Sequence, residues 1–190
     1  MNSEKRGRRA VFLDRDGTLN RDDGYVHDAA HWHWLPGVVE AMARLKADGR
    51  LLVVVSNQSG IARGYFDRKA LESLERWVDE ELRPAGAAPD AWYDCPHLPE
   101  ITGPCECRKP RPGLLLQAAR DLGIDLGESW MVGDRLRDVR AGRAAGCRAV
   151  LLSRRDCDRA RREAEEAEKA GVPVCPSLAE ASALILREGS

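Results

Sequence analysis

Ala10-Val11-Phe12-Leu13-Asp14-Arg15-Asp16-Gly17-Thr18 sets an apolar run directly against two carboxylates and a glycine. The run has the length and composition of a strand. Side chains two apart on a strand share a face, so Asp14 and Asp16 can look into one pocket. Gly17 lets the chain turn close beside whatever lies there. In open parallel sheets ligands bind beyond the carboxyl ends of the strands, so two acids at such an end mark where to look for chemistry.

The same grammar extends along all 190 residues, because short apolar, β-branched runs alternate with longer amphipathic segments. This pattern predicts βα units and a mostly parallel sheet in a three-layer α/β fold. Strands are predicted over residues 10–13, 51–55, 91–93, 130–132, 149–152 and 172–174, the last suited by Pro173 to a sheet edge. Helices are predicted over 38–47, 67–82, 112–122, 136–145, 156–170 and 178–186. The charge-dense stretch 159–169 reads as a solvated helix laced by i,i+4 pairs. Two connections, 19–36 and 95–111, are longer than linkage requires, and loops of that kind carry function. The length suits one domain spanning 1–190.

Thirty basic and 31 acidic residues leave a formal net charge of −1. No broad field is available to hold nucleic acid or an anionic membrane, so a small molecule is the expected partner, with a monomer the expected state. The basic run Lys5-Arg6-Gly7-Arg8-Arg9 has no apolar stretch of signal-peptide length after it and reads as a solvated tail, which points to the cytoplasm. Six cysteines do not change this, since three of them crowd beside a histidine in the manner of a metal site.

Each further strand end offers a polar group. Ser56-Asn57-Gln58-Ser59-Gly60 supplies a hydroxyl and backbone N–H groups suited to phosphate oxygens, although polar turns after strands are common. Gly133-Asp134-Arg135 brings a carboxylate that, with Asp14 and one backbone carbonyl, would hold Mg²⁺; Asp134 could equally cap the following helix, and Asp138 reads as structural. Lys109, before the helix predicted at 112–122, could neutralise phosphate charge. Cys95, His97, Cys105 and Cys107 form a complete Cys₃His set for structural Zn²⁺.

These segments, in this order, resemble the haloacid dehalogenase (HAD) superfamily of phosphotransferases over nearly the whole chain. The resemblance implies a HAD-like fold with Asp14 as nucleophile, Asp16 as general acid and base, and Ser56 and Lys109 on the phosphoryl group. It also implies Mg²⁺ held by Asp14, the Asp16 carbonyl and Asp134. Cys-Pro-His, Cys-x-Cys-Arg-Lys-Pro and Gly-Asp-Arg are similar to two families within it, the heptose bisphosphate 7-phosphatases and the histidinol-phosphatase domains. Asp22-Asp23-Gly24-Tyr25-Val26-His27 and the segment 56–64 favour the heptose family, implying a phosphorylated sugar substrate contacted by Asp22, Asp23, Gly24, Tyr25, Asn57, Gln58, Ser59, Arg108 and Arg135. Ser56 and Arg135 stand where that family often has Thr and Lys, which bears on the contact to a distal phosphate. No large inserted cap is expected. The alternatives are a histidinol-phosphate phosphatase and a zinc-stapled binding protein without activity.

Overall fold

The computed structural model describes residues 7–189, so Lys5 and Arg6 of the basic run lie outside the described residues. In chain order the elements are β1 (Ala10–Leu13), α1 (Val38–Ala47), β2 (Leu51–Asn57), α2 (Arg68–Leu82), β3 (Ala91–Cys95), α3 (Pro99–Thr102), α4 (Gly113–Leu122), β4 (Trp130–Gly133), α5 (Leu136–Ala145), β5 (Arg148–Leu152), α6 (Asp158–Lys169), β6 (Val174–Cys175) and α7 (Leu178–Glu188). Single 3₁₀ turns at Ala29–His31 and Arg83–Ala85 complete the list.

The six strands form one parallel sheet in the order β3-β2-β1-β4-β5-β6. Burial on both faces explains why the strands read as continuous apolar runs rather than alternating ones. Val11 and Leu13 of β1 join Leu52 and Val54 of β2 on the face covered by α1, α2 and α7. Ala10 and Phe12 join Val53 and Val55 on the opposite face, under α4 and α5. A smaller cluster packs Ala149 and Leu151 of β5 against Ala164 and Ala167 of α6.

The chain builds outward from β1 through β2 to β3, then returns to lay β4 on the other side of β1. The order reverses there, opening a crevice at the carboxyl ends of β1 and β4, the two strands that carry Asp14 and Asp134. The long β1–α1 and β2–α2 connections contain no inserted domain; the first holds one 3₁₀ turn, capped by Asp28. Among the described residues no helix is long and apolar enough to cross a membrane.

Candidate active site

Asp14 follows β1 with 3 % of its surface exposed. Lys109, also buried, donates from Nζ to Asp14 Oδ1 at 2.6 Å and to the Val55 carbonyl at 2.7 Å, and pairs with Asp138 Oδ1 at 2.8 Å. The backbone around this lysine is clamped: Lys109 N donates to Asn57 Oδ1 at 3.1 Å while Asn57 Nδ2 donates to the Lys109 carbonyl at 3.0 Å. Asn57 thus delivers Lys109 to Asp14 from the end of β2.

One lysine does not neutralise the cluster. Carboxylate oxygens of Asp14, Asp134 and Asp138 lie within 4.8 Å of one another. Burial, then Asp138, pushes the Asp14 carboxyl up to about 6, with Lys109 opposing. Burial, then Asp14 and Asp138, pushes Asp134 up to about 8. For Lys109, burial opposes the charge but Asp138 and Asp14 outweigh it and raise its pKa.

Asp14 Oδ2 and Asp134 Oδ1 are buried with no hydrogen-bond partner. Two orphaned carboxylate oxygens in a crowded acidic pocket are costly alone and fit a hard divalent cation, which satisfies both and relieves their repulsion. Gly17 keeps this space open. It holds φ at +82°, and a Cβ there would lie 2.6 Å from the Asp134 carboxylate.

Asp16 is held at the rim by four donations: Arg15 Nε and Nη2 at 3.0 and 2.9 Å, Asn20 Nδ2 at 3.0 Å and Gln58 Nε2 at 3.1 Å. The same Gln58 amide donates to Ser56 Oγ at 2.7 Å, joining the two polar strand ends. Asp14, Asp16, Ser56, Gln58, Lys109 and Asp134 therefore converge as their positions in the sequence suggest.

The expected distal contacts are more dispersed. Asp22 lines a cleft of about 370 Å³ together with Gly17, Thr18 and Asp134. Asp23 turns aside to Arg21, at 2.6 Å. Arg108 donates to the His97 carbonyl at 3.1 Å, and Arg135 pairs with Glu163 at 3.4 Å in a groove between α5 and α6. Ser59 sits in the turn after β2, its carbonyl accepting from Arg63 N at 3.1 Å.

Three residues contribute that sequence reasoning passed over or set aside. Asp138 is fully buried and is the second anion of Lys109, beyond serving the Arg135 backbone N–H at 3.1 Å. Arg15 is 1 % exposed and ties Asp16 to the Val26 carbonyl. Arg137 has a buried Nε without a partner; burial opposes its charge, but Asp14, Asp138, Asp134 and Asp22 outweigh this and raise its pKa. Only Asp138 carried a sequence signal, its position one helical turn beyond Asp134.

The Cys₃His set assembles as well. Cys95 Sγ lies 3.6 Å from His97 Nδ1 and from Cys105 Sγ, and Cys107 Sγ lies 3.2, 3.5 and 3.2 Å from Cys95, Cys105 and His97. Tetrahedral ligands about 2.3 Å from a zinc ion would be separated by ~3.7 Å, close to these edges. Cys95 is fully buried, and burial and Cys107 push its thiol well up, so a metal there displaces protons.

Comparison with known proteins agrees with this geometry. Residues 106–181 match a HAD-hydrolase-like family model. The D-glycero-beta-D-manno-heptose-1,7-bisphosphate 7-phosphatase of Pasteurella multocida is 48% identical over 149 residues, 76% of this chain and 81% of that protein. The protein of the same name from Salmonella typhi is 43% identical over 184 residues, 94% and 96% of the two chains. The crystal structure of the D,D-heptose 1,7-bisphosphate phosphatase from B. bronchiseptica, complexed with magnesium and phosphate, superposes with a TM-score of 0.84 at 36% identity, covering 95% of this chain and 99% of that one. With Asp14, Lys109 and the acidic pocket in place on a six-stranded parallel sheet, the chain belongs to the D-glycero-beta-D-manno-heptose-1,7-bisphosphate 7-phosphatase family of HAD-like hydrolases.

Proposed function

We propose that this chain, as one HAD-like domain over 1–190 working in the cytoplasm, hydrolyses the 7-phosphate of D-glycero-β-D-manno-heptose 1,7-bisphosphate. The observation that carries the reading is buried Asp14, one oxygen held by Lys109 and the other free beside Asp134. Its carboxylate attacks phosphorus to form an aspartyl-phosphate. Asp16, fixed by Arg15, Asn20 and Gln58, protonates the leaving sugar oxygen and then takes a proton from the hydrolytic water. Lys109 and Ser56 meet the phosphoryl oxygens. Asp14, the Asp16 carbonyl and Asp134 would hold Mg²⁺, which would supply further positive charge toward those oxygens. Asp22, Gly24, Tyr25 and Ser59 border the sugar, Asp23 joins them by leaving Arg21, and Arg108 and Arg135 reach the distal phosphate by leaving the His97 carbonyl and Glu163.

A substrate panel tests this: both anomers of the bisphosphate, the 7-monophosphate and histidinol phosphate, compared by kcat/KM. The β-bisphosphate is expected to lead. A higher value for histidinol phosphate overturns the substrate assignment and leaves the phosphatase assignment standing.

The acidic pocket also predicts a pH-dependent response to metal. In the metal-free chain the raised carboxyls of Asp14 and Asp134 hold protons that the unfolded chain releases near the ordinary value of 3.8. Their contribution to stability is present below that value and is lost as pH rises through about 6 and about 8. Mg²⁺ replaces those protons, so it should raise the melting temperature more at pH near ~8.5 than near ~5.5. A shift independent of pH counts against this pair as the metal site.

Zinc suits the sulfur-rich second site, whose thiols, kept for metal rather than for disulfides, also fit a reducing compartment. Elemental analysis is expected to find about one zinc per chain. Cys107→Ser should lower the melting temperature by ~5–10 °C and reduce activity, because the loop it closes carries Lys109. A metal-free protein with undiminished activity rejects the assignment.

A further inference from the structure

The loops that leave β1 and β2 are both anchored at Asp16. Arg15, which holds the Asp16 carboxylate, also donates to the Val26 carbonyl at 2.7 Å, and Gln58 donates to Asp16 Oδ2 at 3.1 Å. Farther along, the loops meet twice through aromatic rings. His27 stacks on Phe66 with centroids 5.0 Å apart and planes 6° apart. Phe66 is buried over Gly60, where a Cβ would strike the ring at 2.1 Å. That pair is enough to join the loops.

The second pair buries little. Tyr25 and Tyr65 meet edge to face with centroids 4.8 Å apart, yet remain 43% and 56% exposed. Tyr25 holds φ at 53°, a left-handed conformation that residues with side chains seldom adopt, and strain of this kind gathers at ligand clamps. The guanidinium of exposed Arg63 stands 6.0 Å from the Tyr25 ring centroid and makes no ion pair among the described residues. Exposed rings offer a face to the C–H groups of a sugar, and an uncompensated guanidinium offers a fork to an anion.

We propose that Tyr65 and Arg63, together with Tyr25, form the wall on which the sugar ring and its distal phosphate rest while the reacting phosphate lies at Asp14. Tyr65 and Arg63 are then specificity-determining residues. Arg63, unlike Arg108 and Arg135, has no protein acceptor to give up before it binds. The proposal rests on the sugar-bisphosphate reading above.

The test compares Arg63→Gln, Tyr65→Ala and Tyr65→Phe on the heptose 1,7-bisphosphate, the heptose 7-phosphate and glycerol phosphate, with melting temperatures. Arg63→Gln is expected to lower kcat/KM on the bisphosphate by ~10-fold or more relative to the 7-phosphate, chiefly through KM, as loss of a charged hydrogen bond does. Tyr65→Ala should lower both sugar phosphates relative to glycerol phosphate, and Tyr65→Phe should restore the ratio. Equal losses on all three substrates, or no loss, overturn the wall. If the wild-type protein prefers a different phosphate, the bisphosphate reading fails by itself; the same ratios, measured on that preferred compound against glycerol phosphate, still decide for or against the wall.

Discussion

Asp14→Asn is expected to lower kcat by ~10⁴-fold or more while leaving the protein folded with a melting temperature close to that of the wild type. The amide has nearly the shape of the carboxylate but neither its nucleophilicity nor its charge for a cation. Stability survives because the substitution removes one negative charge from a pocket where burial and Asp138 already disfavour it. Lys109 loses its 2.6 Å partner but keeps Asp138 at 2.8 Å and the Val55 carbonyl at 2.7 Å. Asp16→Asn leaves Asp14 in place and should cost ~10²–10⁴-fold, the usual worth of the general acid–base role proposed for Asp16. Single-turnover phosphate release alongside calorimetry separates the two effects. Wild-type turnover by Asp14→Asn would sink the covalent mechanism.

Much of this site is legible because parallel-sheet proteins place chemistry where apolar runs stop. The strand Ala10–Leu13 and the helices Val38–Ala47 and Leu136–Ala145 begin and end where the sequence predicts. Their boundaries coincide with a switch between apolar patterning and polar or glycine residues. Other ends differ for local reasons. Asp67 and Pro112 fall outside α2 and α4 as caps, the former accepting from Ala70 N at 2.8 Å. β3 runs on to Cys95 because its partner β2 continues to Asn57, so Cys95 belongs to a strand end rather than to the following loop. β6 shrinks to Val174–Cys175 because Pro173 has no N–H to add; its carbonyl still accepts from Leu151 at 3.0 Å.

Less legible were features made by tertiary contact. The one-turn helix Pro99–Thr102 inside the cysteine loop is too short to show a period. Nothing in the local sequence distinguishes Arg15 or Arg137 from solvated arginines; only the packing around the acidic pocket does. Arg108 and Arg135 look like a matched pair in the sequence, yet Arg108 lies in the loop before α4 and Arg135 caps α5, where they face a carbonyl and a glutamate respectively.

Lys109→Met is expected to destabilise the metal-free protein by about 3–5 kcal/mol, the cost of removing one partner from a buried ion pair. The side chain is fully buried, so methionine fills much of the volume, and the penalty comes from charge rather than from a cavity. Asp14 and Asp138 would be left facing each other without a cation, and Asp134 adds a third acid within 4.8 Å. At this chain length 1 kcal/mol corresponds to ~2–4 °C, which places the drop in melting temperature at ~6–20 °C. Turnover should fall steeply too, since the proposed mechanism assigns this buried cation to the transferring phosphoryl group. The two losses can be separated. Lys109→Met with Asp138→Asn removes one charge of each sign and is expected to recover a large part of the stability and none of the activity, giving a strong positive coupling in the double-mutant cycle. Added Mg²⁺ should also recover part of the stability of Lys109→Met, because a divalent ion bound at Asp14 and Asp134 partly replaces the missing charge. If the double variant melts no higher than Lys109→Met alone, Asp138 is not the counter-ion that holds this lysine, and its burial beside the active site needs another explanation.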